Sequence, residues 1–377
     1  MRGAPDAMRA WTTALGLAAT LLLAACGPMG GQGGGKVSSE LRIYNWTDYI
    51  DPALLDEFGK ETGLKVTYDT FDSNEVLETK VLQGNTGYDL VVPSNHNLPR
   101  YIAAGAIQPL DKSKLPGLSN LSPEMMRLLA PFDPGAKYAV PYMQGTIGIG
   151  YNKDAVAKRL PGVAIDSWAV VLEPKNLAKL KDCGVYFLDA SEDMYAITLN
   201  YLGKDPNSTA IADYQAATDL LLKARPYVRK FHSSEYIDAL ANGDICVAIG
   251  YSGDVLQARI RAEEARNGVN IGYVIPKEGS QVWFDLFTIP KDAPNPDAAY
   301  RFIAFMLRPE VIARASNYTE YANANAAATK LVDPAIRDDP NVYPTPAVSR
   351  RLFVTTTKDQ ALLREVNRQW TRVLTGR

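Results

Sequence analysis

Leu41-Arg42-Ile43-Tyr44-Asn45-Trp46-Thr47-Asp48-Tyr49-Ile50-Asp51-Pro52 decides the architecture of this chain. Its first five residues read as a strand. Asp51-Pro52 then reads as a helix start, with Asp as N-cap and Pro at the first helical position. The helix continues through Leu54, Leu55 and Phe58 and stops near Gly63. A second strand is expected over 65–70. Asp72-Ser73 caps a second helix whose apolar face carries Val76, Leu77, Val81 and Leu82, with Gly84 ending it. Tyr88-Asp89-Leu90-Val91-Val92 follows as a nearly continuous apolar strand, of the kind buried in parallel sheets. Pro93-Ser94 leads into another helix, with Ser94 as its cap. The succession β-α-β-α-β predicts an α/β domain around a parallel sheet.

Ligands of such sheets sit beyond the carboxyl ends of the strands. Trp46, Asp48 and Ser94 fall there. Two more segments join a ring to an acid near the end of an apolar run: Tyr251-Ser252-Gly253-Asp254 and Trp283-Phe284-Asp285. Ring faces attract a cation and carboxylates pair with it, so the three segments together suggest a cage for an organic cation. Singly, Trp46 or Trp283 reads as core, and Asp48 or Asp254 as a cap.

Further along, strands are expected at 145–151, 185–188, 246–250 and 283–289. Helices are expected at 209–224, 256–267, 296–307 and 309–315, with an amphipathic helix near 361–374. The 377 residues suggest two domains. A net charge of −2 with scattered basic residues gives no nucleic-acid footprint.

Residues 1–25 form a separate object. Arg2 and Arg9 precede an apolar stretch too short to span a bilayer, ending in Leu23-Ala24-Ala25-Cys26-Gly27. This resembles a bacterial lipobox. It implies a lipoprotein signal peptide over 1–25, cleavage before Cys26, and lipid attachment to the Cys26 sulfur as the anchor to the membrane. The remaining chain would carry 38 basic and 41 acidic residues, a net charge of −3. Residues 26–37 read as a Gly-rich tether. Gly30 to Lys36 is not a phosphate loop, since Val37 stands where Ser or Thr is required. Cys183 and Cys246 are either a disulfide or two buried free thiols, and an exported protein favours the disulfide.

Catalytic and metal patterns are poorly represented. Two histidines, His96 and His232, without metal-ligand spacing give no pattern for a zinc site, and no cofactor motif is found. Gly145-x2-Gly148-x-Gly150 lacks the dinucleotide spacing. Gly250-Tyr251-Ser252-Gly253-Asp254 resembles a nucleophile elbow without its final Gly. A hydrolase built on Ser252 therefore stands as an alternative from another class, and the expectation is that the chain is not an enzyme.

Several segments carry a resemblance. They are 44–50 around Trp46, Phe71-Asp72-Ser73-Asn74-Glu75, 88–94, Phe231-His232-Ser233-Ser234, 241–250 and Tyr321-Ala322-Asn323-Ala324-Asn325. Together they resemble the periplasmic polyamine-binding proteins of ABC transporters, most closely the putrescine-binding type. The likeness runs from about Leu41 to the C-terminus. It implies the two-lobe, type II (Venus-flytrap) periplasmic binding protein fold with ligand in the interlobe cleft. The lobes would be 38–142 with 286–335, and 143–285 with 336–377.

The resemblance also implies a cation box of Trp46, Tyr49, Tyr251, Trp283 and Tyr321. Its acids would be Asp48, Asp193, Asp254 and Asp285, and its hydroxyls Thr47, Ser94 and Ser233. It places a disulfide on Cys183 and Cys246. The expected roles put Asp254 and Asp285 at one end of the amine and Asp48 with Ser94 at the other. Thr47, Tyr251 and Asp193 depart from the putrescine pattern, Asp193 being one methylene shorter than the usual Glu, while Trp283 resembles spermidine-type members.

The function so implied is a monomeric, lipid-anchored periplasmic receptor. It would deliver putrescine or spermidine to an inner-membrane ABC permease. Alternatives are an amine-sensing lipoprotein and a receptor for another cationic solute such as cadaverine or agmatine.

Overall fold

A computed structural model describes residues 39–377. The expected signal peptide and tether, with Cys26, lie outside the described residues. Strands β1 (Glu40–Trp46) and β2 (Lys65–Phe71) pair in parallel along their whole length, and β3 (Leu90–Val91) pairs in parallel with β1. The helix Pro52–Thr62 connects the first two as expected. The Asp51 carboxylate accepts from the Ala53 amide, Leu54 and Phe58 are buried, and Gly63 closes the helix at φ 71°.

The next helix, Asn74–Gln83, is capped by Ser73 but buries only Leu77 and Val81. Val76 and Leu82, expected on the same apolar face, are exposed. A helix lying on a sheet needs only a narrow stripe, and these two residues lie outside it.

β3 is shorter than the expected run over 88–92. The Val92 carbonyl accepts from the Trp46 indole at 2.9 Å, and Pro93 has no N–H to continue the ladder. Ser94 does not cap a helix. It makes a bridge to Asp285, and the following helix begins only at Leu98.

The other half repeats the plan. β5 (Val185–Phe187), β6 (Lys230–Phe231) and β7 (Val247–Tyr251) run in parallel in the order β7-β5-β6. Cys183 and Cys246, at the amino ends of β5 and β7, form a disulfide with Cα atoms 5.5 Å apart.

Two long strands join the halves: β4 (Ala139–Asn152) and β9 (Ser280–Thr288). β4 pairs antiparallel with β9 and, farther along, with β7, while β9 reaches β3 through Val91 and Thr288. Both are longer than expected: β4 serves both halves of the sheet, and β9 begins early where Ser280 and Gln281 pair with a short strand at 352–353. The glycines of β4 answer to packing: a Cβ on Gly148 would lie 2.5 Å from the Tyr273 ring.

β8 (Ile271–Val274), β10 (Ala322–Asn323) and β11 (Leu352–Phe353) add short pairings along β4 and β9. The C-terminal helix Gln360–Thr375 packs on helix Ile211–Ala224, and Trp370 donates its indole N–H to Asp189 just past β5. The arrangement turns the carboxyl ends of β1 and β3 and those of β6 and β7 toward one cleft, into which β9 presents Trp283 and Asp285.

Candidate ligand cleft

The cleft and the solvent space at its mouth together offer about 490 Å³ not filled by protein atoms. Eleven of the twelve expected ligand residues line it, all but Asp48. Its walls are rings. Tyr321 meets Tyr49 at 5.2 Å and Trp283 at 5.3 Å between centroids, and Trp283 meets Tyr251 at 5.7 Å, all edge to face. Trp46 leans on Phe71 at the rim. Glycine makes room for this packing: a Cβ on Gly253 would lie 2.5 Å from the Tyr321 ring.

Three buried carboxyls stand among the rings, each held by neutral donors. Asp254 accepts from the hydroxyls of Tyr236 (2.6 Å) and Tyr321 (2.7 Å). Asp285 accepts from Ser94 Oγ at 2.6 Å, and Ser94 is itself gripped by the Asn74 amide. The Tyr49 hydroxyl faces Asp285 without closing a hydrogen bond of normal length. Asp193 accepts from Tyr251 Oη at 2.9 Å and from Gln281 Nε2 at 2.8 Å.

Burial pushes all three upward in pKa, Asp285 to about 7 and Asp193 and Asp254 to about 6. The donors pull each back part of the way, and repulsion from Asp193 and Asp254 adds to the rise at Asp285. The same burial keeps the tyrosine hydroxyls protonated as donors. Among the described residues the lining includes a fourth acid, Asp72, and neither Lys nor Arg. A cleft so built is short of positive charge.

The expected pairing of acids changes in detail. Asp48, in a turn at φ 54°, points its carboxylate to Arg261 at 3.2 Å rather than into the cleft. Ser94 serves Asp285, and so belongs to the Asp285 end rather than the opposite one. Gln281, Trp283 and Asp285 alternate onto the same face of β9. At about 3.3 Å rise per residue, Gln281 and Asp285 lie roughly 13 Å apart along the strand, with Trp283 between them. Asp193, bound to Gln281, is thus separated from Asp285 by the Trp283 ring.

Thr47 and Ser233 line the cleft with hydroxyls committed to the backbone. Thr47 Oγ1 donates to the Phe71 carbonyl, and Ser233 Oγ accepts from the Asp189 amide. Ser252 is buried and accepts from the Thr146 amide, with no histidine among its hydrogen-bond partners. That arrangement offers nothing to a hydrolase.

A profile of the bacterial extracellular solute-binding proteins matches residues 53–345. The chain belongs to that family. It is 56% identical over 339 residues to the putrescine-binding periplasmic protein PotF of Escherichia coli K12, covering 89% of this chain and 92% of that protein. It is 49% identical over 358 residues to the putrescine-binding periplasmic protein SpuD of Pseudomonas aeruginosa, covering 95% and 98%. Among solved structures it superposes on the spermidine/putrescine ABC transporter substrate-binding protein PotD of Streptococcus pneumoniae. The TM-score is 0.71 at 32% identity, over 90% of this chain and 99% of that one. The fold is accordingly the two-lobe type II binding-protein fold. These relatives are binding components of transporters, not enzymes.

Tyr236, Asn74 and Gln281 were missed as functional residues. Tyr236 holds Asp254, and Asn74 holds Ser94 and only through it Asp285; these partners are distant in sequence, so no local spacing links them. Gln281 could have been found, since it precedes Trp283 by two residues on a strand.

Proposed function

We propose that this chain is the solute-binding component of an ABC importer, capturing a polyamine in the cleft and delivering it to an inner-membrane permease. The observation that carries the reading is the set of three buried carboxyls, Asp193, Asp254 and Asp285, among aromatic rings, with neither Lys nor Arg in the lining among the described residues. An alkyl diamine complements it: methylenes lie against the rings, and an ammonium at each end supplies the missing charge. Asp254 and Asp285 take one ammonium in this reading. Asp193 takes the place first expected for Asp48 at the other.

Relatives named for putrescine, for putrescine with agmatine and for putrescine with cadaverine support the amine class. Titration calorimetry with putrescine, cadaverine, agmatine and spermidine tests it. Submillimolar binding of at least one is expected, and binding no tighter than millimolar to all four sinks the reading.

The periplasm is the compartment that fits the relatives. Anchoring through Cys26, with lobes divided at 38–142 with 286–335 and 143–285 with 336–377, completes the proposal. Fractionation of cells carrying Cys26→Ser should move the protein from the membrane to the soluble fraction. Retention in the membrane would refute the anchor.

A further inference from the structure

We infer that Gln281 is a positioning residue for amine capture: its buried amide holds Asp193 against Tyr251 so that this carboxylate meets the ammonium remote from Asp285. This rests on the polyamine reading above.

Gln281 has no exposed surface. Its Nε2 donates to Asp193 Oδ1 at 2.8 Å, while its Oε1 has no partner. The orientation of the amide is set by chemistry, because an ionised carboxylate only accepts and must face the NH2. A buried side chain that leaves its own carbonyl unpartnered costs stability, and a hydrocarbon of similar length would avoid that cost. The residue therefore serves something other than the fold.

Its one bond leads into the cleft. Asp193 uses Oδ2 to accept from Tyr251, and Tyr251 packs on Trp283, two residues along β9 from Gln281. The chain of contacts thus starts and ends on one strand and fixes both a charge and a ring of the far end of the cleft. A carboxyl one methylene shorter than Glu sits closer to its own helix, Ser191–Tyr201. Gln281 reaches across from β9 to hold it.

Without this donor Asp193 would keep only Tyr251. The charged and titratable groups facing it are Glu192 on its own helix, Glu75 on the helix Asn74–Gln83, Asp285 on β9 and Lys358 before the C-terminal helix. Three of those four are acids. Removing a neutral donor from that setting favours the protonated form, which cannot pair with an ammonium.

The test is Gln281→Met in the mature protein, with putrescine as probe across pH 5.5–8.5. Affinity at pH 7.5 should fall about tenfold, and the pH below which binding weakens should move upward. The ligand-free melting temperature should stay or rise, which separates positioning from a role in the fold. In an Asp193→Asn background the same substitution should change nothing further. If the Met variant does not fold, Gln281→Asn, which keeps the amide but shortens its reach, should show the same loss.

Unchanged affinity with an unchanged pH profile overturns the inference. So does a tenfold loss that persists in the Asp193→Asn background. Failure of the unaltered protein to bind any amine removes the polyamine reading itself, a result distinct from normal binding by both proteins.

Discussion

Glu192 and Asp193 are neighbours in the first turn of one helix, both buried, and they meet opposite fates. Burial alone would raise both. At Glu192 it is outweighed by Lys358 at 3.1 Å and Arg100 at 3.0 Å, and the carboxyl is held at about 2. Arg100 reaches on to Glu78, so this cluster closes its own charge within the protein. At Asp193 the partners are the neutral Tyr251 and Gln281, burial dominates, and the carboxyl rises to about 6. A cation built into the chain makes a structural acid. A cation left out makes a binding acid. The cleft differs from its surroundings by that omission, repeated at Asp254 and Asp285.

If the contrast is right, removing either kind of acid should have opposite consequences. The largest effect is expected for Glu192→Ala, which leaves Lys358 and Arg100 buried with their shared partner gone. It should cost about 3–5 kcal/mol of folding stability. Denaturant titration would read this with or without amine present, and a loss under about 1 kcal/mol would break the comparison. Asp254→Ala and Trp283→Ala come next. Each should weaken amine binding by at least about 2 kcal/mol, with no comparable loss of folding stability for the Asp variant. Calorimetry finding unchanged affinity would show that the site is misplaced.

Acidity should separate the two regions a third way. Asp193, Asp254 and Asp285 have folded pKa values raised above the ordinary carboxylate range, to about 6, 6 and 7. The folded state then binds more protons than the unfolded state between about pH 4 and pH 7. Ligand-free stability from these groups should fall as pH rises through that window. Amine affinity should do the reverse, because the dication needs the ionised forms. Putrescine should bind at least about tenfold more weakly at pH 5 than at pH 8, the factor for ionising a single acid of pKa about 6. It should also release protons on binding near pH 6, seen as a dependence of the calorimetric heat on buffer. Glu192 works in the opposite sense: its depressed pKa contributes stability above about pH 4.5 that is lost toward pH 2. Affinity that is flat from pH 5 to 8 would mean that the cleft acids are already charged without ligand.

Much of this was legible in the chain. The cap signals at Asp51-Pro52 and Ser73 and the apolar run ending at Val92 define the parallel half-sheet, and strand ends locate the rings and acids. Short-range rules failed where a distant partner outcompeted a local one. Ser94 resembles a cap until Asp285, on another strand, takes its hydroxyl. Val76 and Leu82 look like core by type, although sheet packing needed only Leu77 and Val81. Tyr236 holds the Asp254 carboxylate and Asn74 holds Ser94, partners that no local spacing joins to them. The long strands β4 and β9 were underread because the sequence shows their composition but not their distant partners, which for β4 lie in both half-sheets.

Asp48 gives the finest test of the comparison, since it was expected among the binding acids and is placed with the paired ones. Its carboxylate meets Arg261, which also holds Asp238, and both residues of the Asp48 pair keep about a third of their side-chain surface in solvent. Asp48 belongs to the loop after β1, and Arg261 to the helix Ser252–Ala265 that follows β7. The pair thus ties together the two half-sheets that face across the cleft. A contact of this kind bears on how the two half-sheets are held together and not on the ligand's charge. Being exposed, it should be worth only ~0.2–1 kcal/mol. Asp48→Asn should therefore weaken putrescine binding by fivefold or less, with most of the change abolished in 0.5 M salt, where surface pairs are screened. A loss as large as that of Asp254→Ala, insensitive to salt, would return Asp48 to the cleft and make it a fourth acid awaiting a cation.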